Sequence, residues 1–233
     1  EEPMDPRRLA RRLHLATLAG CVGLCLSALS GPRELRGAPQ HALSPGELDT
    51  PASVTLETLL DEPTAWLGRT VRFSFQFHSA PPSWNPYVTR FGAADYVAAI
   101  AWCDDQLLWD EDEFGDPRAL LFARRGMDVG DALARGTQYA RYEAVGVVSQ
   151  VFLGHPWIEV ARLERLPEEV GEGAILHATR ALRSMEQGEW RLALQDIARA
   201  EASNLPPPAR AELARMRARC EAERQSRRIP SDG

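Results

Sequence analysis

The chain has 233 residues and a mass of 25.8 kDa, room for one or two small domains. Its 44% hydrophobic and 26% charged residues have the balance of a globular protein, which excludes a wholly disordered, collagen-like or multi-span membrane chain. Acidic residues outnumber basic ones, 33 to 27, for a net charge of −6, and every basic residue is arginine.

Residues 1–30 read as targeting rather than fold. Arg7, Arg8, Arg11 and Arg12 precede an uncharged run over 13–30 that ends in small residues. A basic start followed by an apolar stretch is the layout of a secretory signal. Three fates are open. Ala28-Leu29-Ser30 offers a small–x–small cleavage site before Gly31. Leu18-Ala19-Gly20-Cys21 resembles the bacterial lipobox, which makes Cys21 a candidate for lipidation. An uncut anchor is the third, although the apolar run is short for spanning a bilayer. Each implies export, to the periplasm or to a membrane-anchored position on the cell envelope. Membrane contact is expected only through this segment. Residues 31–52, rich in Gly and Pro and poor in large apolar side chains, read as a flexible linker.

The hydrophobic pattern changes at Val54. Leu56, Leu59 and Leu60 share one face of a short helix that Asp61-Glu62-Pro63 ends or kinks. Over 71–78, Val71, Phe73, Phe75 and Phe77 alternate with polar residues, the period of a half-buried strand. Residues 79–86 form a loop. Further strands are expected over 96–103 and 119–123, with an acidic stretch between them. Residues 129–133 form a helical turn, and 142–152 with 157–163 form a hairpin around Leu153-Gly154-His155-Pro156.

The order strand, strand, strand, short helix, strand, strand resembles the OB-fold, a small five-stranded Greek-key barrel. The stretch 133–148, followed by Pro156-Trp157-Ile158-Glu159-Val160, is similar to the helix–strand–Gly–strand half of bacterial OB domains. Residues 59–71 resemble such a domain's beginning. The resemblance covers residues 53–167, about half the chain, and it implies a fold rather than an activity.

Beyond the acidic joint at 166–169, helices are expected over 174–186, 191–203 and 209–224, with Pro206-Pro207-Pro208 as a break. In the third, Ala209, Leu213, Met216 and Cys220 fall on one face. Gly188, Trp190, Ala193 and Ala200 resemble the turn and close-packing positions of a tetratricopeptide (TPR) hairpin. His177 and Arg180 depart from it, standing where that family prefers large apolar residues. One such hairpin cannot bury its own faces, so the third helix or the barrel must cover it. The fold class is therefore α+β: a small five-stranded OB-like barrel over 53–167, then a TPR-like module of about three helices over 172–226. A tail follows over 227–233.

Few residues point to chemistry. Cys103 and Cys220 could pair in an oxidising compartment, but each sits in an apolar pattern that favours a buried free thiol. The carboxylates of 104–116 lack the ligand spacing of a calcium loop and read as a solvated acidic loop. No metal site and no cofactor is expected. His78, at a strand end beside an aromatic-rich loop, is the histidine of interest. OB-like barrels hold oligonucleotides and sugars on aromatic rings, so Trp84, Tyr87 and Trp109, expected in loops or at strand ends, are candidate ligand-binding residues together with Arg90. Residues 51–166 carry 10 Arg against 16 acidic residues, which opposes nucleic-acid binding unless Arg69, Arg72, Arg90, Arg124, Arg125 and Arg141 form a local patch.

These readings favour an exported, non-catalytic binding or scaffold protein of the bacterial envelope that works through a protein partner. An alternative is oligonucleotide or glycan binding by the barrel, which a cluster of Trp84, Tyr87 and Arg90 on an open face would favour. A further alternative is an enzyme whose site joins distant residues, such as His78 with Asp95 or Asp104. If instead the helices only cap the barrel, Trp190 and Met216 should pack against strands.

Overall fold

A computed structural model describes residues 50–85 and 87–226. The expected targeting segment 1–30 with Cys21, the linker up to residue 49 and the tail 227–233 lie outside the described residues. The described residues belong to one compact unit.

The barrel grows from the alternation in β2 (Thr70–Ser79). Its Val71, Phe73, Phe75 and Phe77 point inward and are almost wholly buried, while Arg72 stays exposed and pairs with Glu143. β3 (Tyr96–Cys103), β4 (Ala119–Arg124), β5 (Arg141–Phe152) and β6 (His155–Arg165) complete the set. β2 pairs antiparallel with both β3 and β5; β3 pairs with β4, β4 runs parallel to β6, and β6 returns antiparallel to β5. The circuit closes, and the helix α3 (Asp128–Ala134) lies between β4 and β5 in the chain. That connectivity is OB-like. A two-residue strand, β1 (Ala52–Ser53), runs parallel to β2, so the expected linker gives way to the sheet at Ala52. Helix α1 (Leu56–Asp61) is capped by Thr55, whose hydroxyl accepts from the Thr58 N–H, and it buries Leu56 and Leu59 in the barrel.

Register gives the barrel a direction. Thr70 lies opposite Val147 and Gln76 opposite Arg141. The β5–β6 hairpin therefore extends past the start of β2, to a tip at Leu153 and Gly154. Both tip residues have positive φ, 50° and 78°, as a tight two-residue turn requires. Gly146 sits at a register shift between the two strands, where a β-carbon would lie 2.6 Å from the Glu159 carbonyl oxygen. Ala52 is level with Val71, so Thr50 leaves the barrel toward the tip end.

At the open end of the hairpin the chain passes into α4 (Glu172–Glu186), α5 (Trp190–Glu201) and α6 (Pro207–Ser226). Gly188, with φ 69°, makes the turn between α4 and α5. Small residues line the contacts between helices: Ala174, Ala178, Ala181, Ala193, Ala200 and Ala209 are buried, with Ile197, Leu213 and Met216 filling the space between them. His177 bridges the first two helices through Nδ1 to Asp196 Oδ1 at 2.9 Å, a polar contact at one of the positions where an apolar side chain was expected. The third helix starts two residues earlier than expected: Pro207, read as part of the break, opens α6, because a fixed φ and a missing N–H suit a helix's first turn.

The helices share their core with the barrel. Trp102, Leu108 and Trp109 pack into it, together with Met216 and the partly buried Trp190. Polar contacts fasten the junction. The Val170 N–H donates to Gln76 Oε1 at 2.7 Å, and the Thr179 hydroxyl donates to the Trp109 carbonyl at 3.4 Å. Arg141 reaches Asp104 with two nitrogens and Glu168 with a third. Its hydrogen bonds to Asp104 raise its pKa further, against the opposing effect of burial. Cys103 lies in the barrel interior and Cys220 in the helical core; both are free thiols.

Candidate binding face

OB-like barrels hold ligands on the outer face of their second and third strands, here β3 and β4. In β3, Val97, Ala99, Ala101 and Cys103 face the barrel interior. Tyr96, Ala98 and Trp102 face outward, yet they are buried too. The chain covers this outer face itself, in two halves.

Residues 80–95 cover the first half. Phe91 stacks on Phe122 of β4 at 4.4 Å between centroids, and Trp84 meets the same ring edge-on at 5.4 Å. Phe91 also stands edge-on to Tyr96 at 4.7 Å, and Trp157 of β6 closes the cluster at 5.6 Å from Phe122. The loop is fixed by hydrogen bonds: Trp84 Nε1 donates to the Phe91 carbonyl at 2.6 Å, and the Arg90 N–H donates to Gln150 Oε1 at 3.2 Å. Beside the cluster, buried Glu159 accepts from Arg124 Nε at 3.2 Å and from the Tyr96 hydroxyl at 3.4 Å. Burial, then the Glu159 charge, pushes the Tyr96 hydroxyl pKa up.

The second half is covered at the helical junction. Trp102 stacks on Tyr139 at 5.7 Å with parallel planes, lies 5.4 Å from Phe114 and donates from Nε1 to the Phe114 carbonyl at 3.1 Å. His78 meets Trp102 edge-on at 4.6 Å.

The sequence-predicted candidates separate on this face. Tyr87 is 92% exposed and Arg90 is exposed, its guanidinium 5.4 Å over the Phe91 ring. Trp84, from the same loop, is half-buried against Phe122. Trp109, expected as an accessible ring, is only 4% exposed: its loop turns inward and α4 packs over it. The loop thus seats Trp84 and Arg90 on the Phe91–Phe122 cluster, and leaves Tyr87 and Arg90 open to solvent. Phe91, Phe122 and Trp157 belong to this cluster, with Glu159 beside it, and none of the four is among the candidate ligand-binding residues. Their signal was the unbroken apolar run of β3, which requires a cover on both faces.

The other candidates have structural partners. His78 shares a 2.7 Å hydrogen bond with Ser79, and burial lowers its pKa. Asp104 is held by Arg141, and Asp95 is exposed at the end of the covering loop. Within the acidic stretch, Asp110 caps the short helix α2 (Glu111–Phe114), and Glu113 accepts the Leu107 N–H at 2.7 Å. Of the six arginines weighed as a patch, Arg72, Arg124 and Arg141 are paired with carboxylates, and Arg125 donates to the Ala93 carbonyl. A cleft of about 540 Å³ lies along Arg72, Asp128, Glu143 and Arg162, and another of about 420 Å³ along Arg165, Glu169, Gly171 and Asn204. Neither is lined by Trp84, Tyr87 or Arg90. Among the described residues, no helix is long and apolar enough to cross a membrane.

No protein-family profile and no curated protein matches the chain. Among solved structures, a chain from Leishmania major Friedlin described as an aspartyl-tRNA synthetase aligns with 10% identity and a TM-score of 0.31, over 62% of this chain and 26% of its own length. The present chain thus spans about a quarter of that protein.

Proposed function

We propose that this is an exported, non-catalytic binding or scaffold protein of the bacterial cell envelope, acting through a protein partner. The observation that carries this reading is the closure of the β3–β4 face. Phe91, Trp84 and Trp157 fill one half of it and the helical junction fills the other, so the rings that would stack on bases or sugars already stack on each other. Export rests on the basic and apolar pattern of residues 4–30. The TPR-like reading of the helices is supported by the positive φ of Gly188 and the burial of Ala193 and Ala200. On that layer Leu176 and Leu192 are exposed apolar residues, suited to a partner surface.

The test is in-cell crosslinking of tagged full-length protein, repeated with Leu176→Arg plus Leu192→Arg, and separately with Tyr87→Ala plus Arg90→Ala. The expected result is one stoichiometric envelope protein, lost with the helix variant and kept with the loop variant. Recovery of glycan or nucleic acid, lost with the loop variant, would overturn the reading.

A further inference from the structure

Seven large apolar side chains are exposed among the described residues, and four of them gather toward one end of the barrel. Leu153, 76% exposed, and Phe152 form the tip of the β5–β6 hairpin. Leu67, 50% exposed, precedes Gly68, whose N–H donates to the Val148 carbonyl at 2.8 Å on the way to that tip. Tyr87 belongs to the loop that Arg90 fastens to Gln150, three residues before Leu153.

Charge is distributed in the same sense. The barrel region carries 16 acidic residues, yet residues 149–158 contain no charged side chain, and the covering loop 80–95 contains two, Arg90 beside the hairpin and Asp95 at the loop's far end against β3. Arg69 is exposed next to Leu67 and lies over the Trp66 ring at 4.7 Å. An uncharged hairpin tip meets no repulsion from an anionic surface, and Arg90, fastened beside it, is drawn to one.

Leu153 adds a conformational argument. Its φ of 50° belongs to the left-handed region, where glycine or asparagine is favoured and a bulky apolar residue is held at a cost. An apolar side chain in that conformation, pointing into solvent, is unfavourable twice over unless something covers it.

We propose that this end of the barrel docks on an anionic lipid surface. A bilayer interface accepts scattered Leu, Phe and Tyr side chains without a matching shape, and tyrosine and arginine favour the headgroup level. The chain path supports lipid over a second protein. Thr50 leaves the barrel toward this same end, and the helices leave from the opposite end of the hairpin. A chain held at a membrane through residues 4–30 therefore presents the apolar tip to lipid and the helices to the aqueous side. This orientation rests on the lipidated or uncut-anchor fate of residues 1–30, whereas the affinity of the tip for lipid rests on its exposed apolar side chains.

The experiment uses residues 42–233, which hold both cores described above and lack the targeting segment. The probe is flotation with vesicles of equal parts phosphatidylglycerol and phosphatidylethanolamine. The parent should float. Leu153→Asp combined with Phe152→Ser should lower the bound fraction about tenfold or more, and Arg90→Glu should lower it on the other loop. Leu176→Asp, on the helices, should leave it unchanged, and thermal melts should show all four proteins folded. Absence of flotation by the parent overturns the proposal, as does equal flotation by parent and tip variants. A concentration-dependent dimer abolished by Leu153→Asp, without flotation, would assign the tip to a second copy instead. Fractionation of cells carrying the full chain with and without residues 4–30 tests attachment separately, so the two readings fail in different assays.

Discussion

Replacing Trp102 with alanine measures how firmly the barrel and the helices are joined. The side chain sits on a barrel strand, is fully buried, and forms part of the helical core. Truncating a buried tryptophan costs about 3–5 kcal/mol. The Phe114 carbonyl loses its 3.1 Å donor, which adds about 1 kcal/mol. Domains of this kind are stable by about 5–15 kcal/mol, so the sum is a large fraction of the total. At about 2–4 °C per kcal/mol for a chain of this size, the melting temperature should fall by about 10 °C or more. Far-ultraviolet circular dichroism follows the helices, and near-ultraviolet dichroism follows the aromatic packing of the barrel. Both should shift together. A melting temperature within about 2 °C of the parent, or a barrel signal that shifts while the helical signal stays put, would refute the shared core.

Three further predictions each concern a single residue. Gly146→Ala forces a β-carbon against the Glu159 carbonyl and the Ile158 side chain, and should cost about 2 kcal/mol or more in a urea titration; an unchanged midpoint would mean the strands can part there freely. Arg141→Met leaves Asp104 and Glu168 without their shared partner at the junction and should cost about 2 kcal/mol. A double-mutant cycle with Asp104→Asn should recover a coupling of at least about 0.5 kcal/mol, and additive effects would show that the pair contributes nothing. His78 has a pKa lowered by burial, so below the ordinary histidine value of 6.5 the unfolded chain takes up a proton that the folded chain resists. Stability should therefore be fully present above pH 6.5 and decline as pH falls from there toward the lower folded value. His78→Asn should flatten that part of the stability–pH profile; an identical slope would mean His78 titrates alike in both states.

What could be read from the sequence follows the range of the interactions involved. The alternation of Val71, Phe73, Phe75 and Phe77 is local and marks both the strand and its inward face. The turn at Leu153-Gly154 and the helical turn before β5 are equally local, and with the strands around them they give the succession of elements that resembles an OB-fold. The binding face is not local. Whether Trp84 or Trp109 reaches solvent depends on what packs over it from elsewhere, and Thr179, which contacts Trp109, is 70 residues away. A place between two strands made Trp109 look like an accessible ring, whereas Glu113 and Asp110 beside it bond the chain's own backbone and α4 packs over the loop. The strand over 96–103 held a partial warning: eight residues without a polar alternation need burial on both sides, although the covering segments could not be named from it.

The two free thiols make the protein a reporter of its own opening. Burial raises the pKa of both Cys103 and Cys220, so neither presents a reactive thiolate while its surroundings hold. One lies inside the barrel and the other among the helices. In residues 42–233, which contain no other cysteine, the alkylation rate of each sulfur under native conditions is therefore set by how often its own core breathes. Equal rates would describe a molecule that opens as a whole, and faster labelling of Cys220 would describe helices that peel from a barrel still closed.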